Sequence, residues 1–253
     1  MHYVLSDIHG HYDKFVEILN KINYNSDEDS MYILGDVIDR GPDGIKCLLH
    51  IKNDKSMHLL MGNHEDMMIR TYKQKVNRTL YNEDWWRLWL HNGSRTTTKG
   101  MKSLSEEEQK DLLAWLETLP LVIPNLVVGD KSYYLVHACN IRDEVKDVLY
   151  YNDADDYQID TCLWDRLYGS LIFVDYFDKC FRDVSEDYKN RILIVGHTPV
   201  ECTDYARYEG ADKSKPKIAR LMDGQFFNVD CGCAGDYRLG CLCLETEEEF
   251  YSK

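Results

Sequence analysis

The stretch that decides the fold is MYILGDVIDRGPDG, residues 31–44. An apolar run ends at Gly35, and Asp36, Asp39 and Arg40 follow it closely. Charged side chains at the end of a buried strand have to be solvated, paired or bound to a metal ion, because an unpaired buried charge is strongly unfavourable. The stretch therefore predicts a buried strand that delivers charged groups to a functional site.

The composition is that of a soluble globular protein, with 253 residues of which 44% are hydrophobic and 29% charged. The length predicts a single domain, residues 1–253. No apolar run approaches the roughly 18 residues of a membrane span, and the N-terminal MHYVLSDIHG has the pattern of a strand rather than of a signal peptide. We therefore expect a cytoplasmic protein with no membrane partner. The formal net charge of −14 and the lack of basic runs argue against a nucleic-acid partner.

The nine cysteines are scattered along the chain. In a long chain without a secretion signal they are expected to be reduced thiols. The closing Cys-x-Cys pairs place both sulfurs on one face of a strand, which is not the spacing of a zinc knuckle. Inert packing is the expected role, and thiol oxidation is the alternative.

The pattern of apolar residues predicts alternating strands and helices through the first half of the chain. Helical spacing occurs over 15–22, over 44–53 and over 103–120, where Ser105 is the predicted N-cap of a capping box. This alternation favours a layered α/β fold. The last fifty residues instead contain short strands and Gly-rich turns, which are typical of an antiparallel meander. The Trp-rich segment 81–100 is expected to form a helix that packs over the core.

Five predicted strands end in Asp, Asn or His. The residues that follow these strands are Asp7 and His9, Asp36, Asn63 and His64, His137, and His197. Each alone has an ordinary explanation as a helix N-cap or a hydrogen-bonded polar residue. Because ligands bind at the carboxyl ends of the strands in an open α/β sheet, we expect all five strand ends to converge there. A set of oxygen and imidazole ligands without thiolate predicts a metal centre.

The donor set is large enough for two divalent metal ions. The expected ligands are Asp7, His9, Asp36, Asn63, His137 and His197. Asp36 is expected to bridge the two ions, and the two cations exceed the ligand carboxylates in charge, so the site suits a phosphate dianion. Two ions about 3.5–4 Å apart can share a hydroxide that attacks phosphorus in line with the leaving group. Mixed oxygen and nitrogen ligation favours Mn, with Fe or Zn as alternatives.

The ordered motifs SDIHG, GDVIDRGPDG, GNHE, VHA and VGHTP resemble the signature series of the calcineurin-like metallophosphoesterases. More narrowly, they resemble the phosphoprotein phosphatases of bacterial and phage type, which are serine/threonine protein phosphatases. The motifs extend from residue 6 to residue 199. The resemblance implies a β-sandwich flanked by helices, in four layers α-β-β-α.

The resemblance also implies roles for individual residues. Asp7, His9 and Asp36 would ligate the first ion, and Asp36, Asn63, His137 and His197 the second. His64 would be the general acid that protonates the leaving oxygen, with Asp39 orienting its imidazole. Arg40 would bind the phosphate, and the segment LWDRLY would bring in Arg166 as a second phosphate ligand. Position 139 carries Cys where this family usually has Gly.

The predicted function is that of a dimetal phosphomonoesterase, with a serine/threonine protein phosphatase as the first choice. The substrate would be a phosphorylated protein or a small phosphoester. The alternative is a dinucleoside polyphosphate hydrolase, acting on diadenosine tetraphosphate. A non-catalytic phosphopeptide-binding module is a third possibility, but such a module is expected to lose a ligand, the acid or a phosphate-binding arginine.

Substrate choice is expected to depend on two loops at the rim of the site, 66–104 and 139–190. The second is mainly acidic. The first contains the basic residues Arg70, Lys73, Lys75, Arg78, Arg87, Arg95, Lys99 and Lys102. A basic rim suits a polyphosphate tail, so the first loop is the strongest sequence evidence for the alternative function.

Overall fold

A computed structural model describes residues 1–76, 83–139, 145–166, 190–203, 214–235 and 237–253. The strands are β1 (His2–Leu5), β2 (Ser30–Ile33), β3 (Met57–Leu59), β4 (Pro120–Val128), β5 (Lys131–Val136), β6 (Leu149–Tyr150), β7 (Arg191–Val195), β8 (Ala219–Leu221), β9 (Phe226–Asn228), β10 (Gly240–Cys243) and β11 (Glu249–Tyr251). The helices are α1 (Tyr12–Lys21), α2 (Gly44–Asn53), α3 (Asn63–Val76), α4 (Glu83–His91), α5 (Arg95–Met101), α6 (Glu106–Glu117) and α7 (Asp156–Trp164).

The strands form two sheets. The first has the order β11-β10-β1-β2-β3, and the second has the order β6-β4-β5-β7-β9-β8. Strands β1, β2 and β3 are parallel, and so are β5, β7 and β9. Helices α1 and α2 contact the first sheet at β11 and β3, and α7 contacts β4 of the second. Two sheets flanked by helices confirm the predicted α-β-β-α architecture.

The strand endings predicted that all five strand ends meet at the edge of one open sheet, and this prediction is wrong in one respect. Strands β1, β2 and β3 belong to the first sheet, whereas β5 and β7 belong to the second. The five strand ends therefore come from two sheets. The predicted C-terminal meander is divided in the same way, because β8 pairs with β9 in the second sheet and β10 with β11 in the first.

The alternation of side chains along each strand explains how one chain fills both sides of its sheets. In β1, Val4 belongs to one buried cluster, and its neighbours Tyr3 and Leu5 belong to another. The cluster of Val4 also contains Leu135 of β5 and residues of β7 and β9, so it lies between the two sheets. The other cluster includes the apolar faces of the helices, such as Phe15 of α1. The two parallel strand sets are thereby held rigidly side by side.

The predicted helices over 15–22, 44–53 and 103–120 correspond to α1, α2 and α6. Ser105 accepts a hydrogen bond from the backbone N–H of Glu108, and the Glu108 side chain accepts one from the backbone of Ser105, so the capping box is confirmed. The segment 66–104, expected to be a rim loop, is helical in its described part, since most of α3 and all of α4 and α5 lie in it. None of the described helices is long and apolar enough to span a membrane.

The described cysteines carry free thiols, and all except Cys202 are buried. Burial raises the pKa of Cys233 to about 12, and it also raises the pKa of Cys231 and Cys241. A thiol with a raised pKa forms little of the reactive thiolate at neutral pH. Packing is therefore the role that the geometry supports for these side chains. Cys180 lies outside the described residues.

Candidate active site

The chain turns sharply directly after the strands that end at the site. Asp7, His9, Asp36 and His197 have φ angles of 54°, 46°, 54° and 65°, and Asp39 and Arg40 have φ of 70° and 65°. This left-handed region is unfavourable for residues other than glycine, although Asp, Asn and His enter it more readily than most. Six strained residues in one site indicate that the surrounding fold holds these side chains in place for a function.

Two of the predicted histidine ligands have a defined tautomer. Nδ1 of His9 lies 2.9 Å from the carbonyl oxygen of Ile38, and Nδ1 of His137 lies 2.5 Å from that of Leu34. A carbonyl oxygen only accepts, so both Nδ1 atoms carry the proton and donate it. Burial lowers the pKa of both imidazoles, which keeps them neutral. Each therefore presents the lone pair of Nε2 to the site.

Asp36 lies between two groups of these donors. Its Oδ2 is 3.6 Å from Nε2 of His9, and its Oδ1 is 3.4 Å from Nε2 of His137. The carboxylate of Asp7 also faces the first group, with Oδ1 3.8 Å from Nε2 of His9. Oδ2 of Asp7 accepts a hydrogen bond of 3.0 Å from the backbone N–H of His197. Asp36 is thus the residue that the two groups of donors share, and its bridging role stays a prediction.

The second group of donors contains Asn63 and two histidines. Oδ1 of Asn63 is 3.1 Å from Nε2 of His137 and 3.1 Å from Nδ1 of His197. All three residues are buried. Burial and the neighbouring His137 lower the pKa of His197, so this ring is neutral as well.

The donor set fits two divalent cations. The triads His9–Asp36–His64 and Asp36–His137–His197 each place their ligand atoms within 4.8 Å of one another, and they share Asp36. Buried lone pairs and carboxylate oxygens facing one another repel unless a cation lies between them. Oxygen and imidazole donors without thiolate suit Mn, Fe or Zn.

His64 and Asp39 form a buried pair beside the first triad. Nδ1 of His64 lies 2.7 Å from Oδ2 of Asp39. Its Nε2 faces the site, 3.8 Å from Oδ2 of Asp36. This is the arrangement expected of a proton donor whose ring is oriented by a carboxylate. His64 also belongs to one of the two triads that could hold a metal ion, so its geometry suits a ligand too.

Two residues that orient Asp39 were not found from the sequence. Nε1 of Trp89 donates to Oδ2 of Asp39 at 2.7 Å, and Oγ1 of Thr97 donates to Oδ1 at 2.5 Å. Burial raises the pKa of Asp39 to about 7, and these two hydrogen bonds oppose the shift. The sequence predicted that the Trp-rich helix packs over the core. Trp89 does so, since it is fully buried, but its indole N–H also reaches the site.

Glu65 is a further residue without a predicted role. Its carboxylate accepts hydrogen bonds from the backbone N–H groups of Asp36 and Val37, both at 2.9 Å, and from Ile38 and Gly62 at 3.3 and 3.2 Å. Burial and the nearby Asp36 raise the pKa of Glu65 to about 8, and the backbone donors oppose the shift. Glu65 therefore fixes the turn that carries the bridging aspartate. Its position within the motif GNHE was the only signal for it in the sequence.

Arg40 is placed at the mouth of the metal centre. Its Nη1 lies 3.0 Å from Nε2 of His9, and its Nη2 lies 3.3 Å from Nε2 of His64. Its backbone N–H donates to the carbonyl of Gly93 at 3.1 Å. Gly93 has a φ of +100°, and a Cβ there would approach Cγ of Arg40 to 2.9 Å, so only glycine allows this contact. The close approach locks the base of the Arg40 side chain against the end of α4.

Arg166 lies on the side of the second triad. Its Nη1 donates to Oγ1 of Thr198 at 3.3 Å, and Thr198 follows His197 directly. Burial is the main cause of the lowered pKa of His64, His137 and His197, and the charge of Arg166 adds to it. The structure thus brings the second predicted arginine beside the site, with its side chain exposed.

The described basic residues of the segment 66–104 lie in different surroundings. Arg70 pairs with Asp66 at 2.7 Å and packs on the ring of Trp85, and Lys73 pairs with Glu117 at 3.2 Å. Arg87 and Arg95 line a cleft that Arg40 also lines. Arg78 and the side chain of Lys75 lie outside the described residues.

A helix-flanked β-sandwich with two metal-binding triads at its strand ends defines a metallophosphoesterase. The chain belongs to the calcineurin-like phosphoesterase family, whose sequence profile matches residues 3–226. It carries a candidate dimetal centre at the ends of its strands.

Curated relatives of the chain are symmetrical bis(5'-nucleosyl)-tetraphosphatases. The protein from Wigglesworthia glossinidia brevipalpis is 32% identical over 138 residues, which cover 54% of this chain and 44% of the relative. The protein from Delftia acidovorans is 30% identical over 137 residues, which cover 54% and 43%. The match thus spans less than half the length of these relatives.

Solved structures with the same fold act on different substrates, according to their names. One is a putative diadenosine tetraphosphatase, with a TM-score of 0.52, 13% identity and coverage of 99% of this chain and 91% of that one. Another is a protein serine/threonine phosphatase from Saccharomyces cerevisiae, with a TM-score of 0.56, 14% identity and coverage of 100% and 79%. At these identities the similarity establishes the fold alone.

Proposed function

We propose that the chain is a dinucleoside polyphosphate hydrolase that cleaves diadenosine tetraphosphate into two molecules of ADP. The observation that carries the proposal is the cation-lined cleft beside Arg40, because a phosphomonoester has no use for cations beyond those that hold its single phosphate. The similarity to symmetrical tetraphosphatases over more than half of the chain supports the same substrate. This choice favours the alternative of the sequence analysis over its first choice, a protein phosphatase.

The chain's own residues would have separate roles in phosphate binding and in proton transfer. Arg40, at the mouth of the centre, and Arg166, on the other side, would bind the phosphoryl oxygens, and the planar guanidinium of each can bind two oxygens at once. Burial lowers the pKa of the His64 imidazole, so His64 would take up a proton on Nε2 when the anionic substrate lies beside it, and would then give that proton to the oxygen that leaves phosphorus. Asp39 would keep the imidazole in the required orientation through Nδ1.

The metal ligands would be Asp7, His9, Asp36, Asn63, His137 and His197. When bound there, two divalent ions, with manganese as the first candidate, would polarise the phosphate oxygens and lower the pKa of water towards neutrality. The strained turns after the strands keep these ligands fixed, so little reorganisation is needed when substrate binds.

One observation favours the second candidate, a serine/threonine protein phosphatase. The alkoxide that leaves phosphoserine is strongly basic and needs a proton donor, and the His64–Asp39 pair is built as one. A leaving nucleoside diphosphate is a much weaker base and depends less on protonation. The pair therefore fits both substrates, and the cleft is the feature that favours the dinucleotide.

The test compares three substrates on metal-stripped protein reloaded with manganese. We expect kcat/KM for diadenosine tetraphosphate to exceed that for a phosphothreonine peptide by at least about tenfold, or about 1.4 kcal/mol in transition-state binding. p-Nitrophenyl phosphate serves as the common reference. ADP as the only nucleotide product would support symmetrical cleavage. A higher value for the phosphopeptide would overturn the proposal and favour the protein phosphatase.

A further inference from the structure

A cleft of about 650 Å³ opens beside the metal centre, on the surface formed by the end of α4 and the start of α5. Its lining side chains are Arg40, Arg87, Leu90, His91, Arg95 and Thr96. The volume is within the range of small-molecule sites, which is about 300–1,000 Å³.

The lining combines cations with an apolar part. Three arginines contribute to it, and no acidic residue is among the described residues that line it. Arg87 and Arg95 are exposed at the surface, so an anion can reach them from solvent. Leu90 adds an apolar side chain and His91 an aromatic ring. A nucleotide site needs cations that bind the phosphates and a neighbouring surface on which the base can stack. This cleft offers both.

Arg40 shows which part of the substrate the cleft faces. The same side chain lines the cleft and places its guanidinium nitrogens 3.0 Å from His9 and 3.3 Å from His64. His64 is the group assigned to protonate the leaving oxygen. The cleft therefore adjoins the side of the centre from which the leaving group departs.

We infer that this cleft binds the leaving nucleoside diphosphate, with Arg87 and Arg95 on its phosphates and Leu90 and His91 against its base. The inference rests on the proposed function for the identity of that leaving group. In the reaction, a water oxygen forms a bond to the attacked phosphorus, and the water protons are released. The P–O bond to the leaving nucleoside diphosphate breaks, and its electron pair stays on the leaving oxygen, which accepts a proton from His64.

The experiment measures ADP binding to the manganese-loaded protein, both by titration calorimetry and as inhibition of p-nitrophenyl phosphate turnover. The cleft variant is the double substitution Arg87→Gln and Arg95→Gln. The matched control is Lys99→Gln with Lys102→Gln, which removes the same charge from the same region without touching the lining. Inorganic phosphate, which needs only the metal centre, is the second inhibitor.

We expect the cleft variant to bind ADP at least about tenfold more weakly. Each hydrogen bond from an arginine to a charged phosphate contributes substantially to the binding free energy, and the variant loses these bonds. Inhibition by inorganic phosphate should change much less, and the control pair should bind ADP as the unchanged protein does. Leu90→Ser should weaken the binding of ADP more than the binding of pyrophosphate, because pyrophosphate has no base.

Equal ADP affinity in the cleft variant and the control would overturn the inference, and so would an equal loss in both. Neither measurement requires turnover of diadenosine tetraphosphate. If that substrate is not cleaved while the cleft variant still loses ADP affinity, the proposed function fails and the cleft stands as a nucleoside diphosphate site without the leaving-group role. If the substrate is cleaved and the cleft variant binds ADP with unchanged affinity, the proposed function stands and the cleft assignment fails.

Discussion

At the scale of single residues, the site depends on one carboxylate that three elements hold. Asp39 receives hydrogen bonds from His64 of α3, Trp89 of α4 and Thr97 of α5. A carboxylate saturated in this way has one orientation, and the imidazole bonded to it is fixed as well. Trp89 and Thr97 are therefore positioning residues that act on the proton donor without touching substrate.

Trp89→Phe tests this positioning role, because it keeps most of the ring and removes the N–H donor. We expect kcat to fall by about tenfold for a phosphothreonine peptide, in line with part of the usual worth of general acid catalysis. The loss should be smaller for p-nitrophenyl phosphate, whose leaving group needs little protonation. Trp86→Phe is the matched control, since Trp86 packs edge-on against Trp89 on the same helix. Equal losses on both substrates would indicate a packing defect instead.

His64→Asn separates the two roles that the geometry allows for His64. If His64 is the acid, kcat should fall by about 10²–10⁴ while the protein still binds two metal ions. Metal analysis of the variant is the decisive measurement. Loss of one ion would assign His64 as a ligand of the first site, in the triad with His9 and Asp36.

The sequence predicted the residues that follow strands and missed those that reach the site sideways. A polar residue that follows an apolar run is a local signal, so the sequence could identify Asp36, His137 and His197 as candidates. Trp89 carries no such signal, since its indole meets Asp39 across 50 positions of the chain. Only the three-dimensional packing of α4 brings the two together, so the pattern of the helix predicted burial and nothing more.

At the scale of elements, the turn between β2 and α2 is held from outside itself. The carboxylate of Glu65, on α3, accepts the backbone N–H groups of Asp36, Val37 and Ile38. Those N–H groups are buried and belong to a turn with left-handed residues, so they lack the partners that a helix or a sheet provides. The two elements are thereby coupled through a single side chain.

Glu65→Gln should destabilise the fold, because an amide NH₂ would replace one of the accepting oxygens and face backbone donors. Leaving buried donors without partners costs about 1–3 kcal/mol each. We expect a loss of about 2–4 kcal/mol in the free energy of unfolding, measured by denaturant titration. Glu106→Gln at the exposed start of α6 is the control and should change stability little. An unchanged midpoint for Glu65→Gln would contradict the role assigned to this carboxylate.

The sequence also predicted which strand ends converge, but not how the strands divide. Each strand is a short apolar run, and nothing in such a run specifies its neighbour in a sheet. The pairing of β5 with β7 joins residues about 60 positions apart in the chain, through contacts that only the packed fold defines. The convergence was predictable because parallel strands place their ends together, and the second sheet does this as well as the first.

At the scale of the whole molecule, the folded chain concentrates negative charge at the metal centre. The formal net charge is −14, and Asp7, Asp36 and Asp230 are all buried close together. Burial and Asp7 raise the pKa of both Asp36 and Asp230. Cations at the centre would relieve this repulsion, and ligands that bind only the folded state stabilise it by mass action.

Metal removal should therefore lower the melting temperature. At a free metal concentration of about 100 times Kd, each ion contributes about 2.7 kcal/mol. For a chain of this size that is a shift of roughly 5–10 °C per ion. The measurement is thermal unfolding of chelator-treated protein across a series of manganese concentrations, with magnesium and zinc in parallel to identify the preferred metal. A melting temperature that does not depend on metal would contradict a structural contribution of the dimetal centre.

Asp36→Asn connects the whole-molecule effect to a single residue. Asp36 is the member shared by both triads, so its loss of charge should weaken both sites, whereas His9→Asn should weaken mainly the first and His197→Asn mainly the second. We expect metal analysis to give fewer than two ions for Asp36→Asn at concentrations that fill the unchanged protein, together with a flattened dependence of melting temperature on manganese. The substitution also removes buried negative charge, so the metal-free variant should be at least as stable as the metal-free parent. Two ions bound at full affinity by Asp36→Asn would remove Asp36 from the bridging position and leave two independent sites.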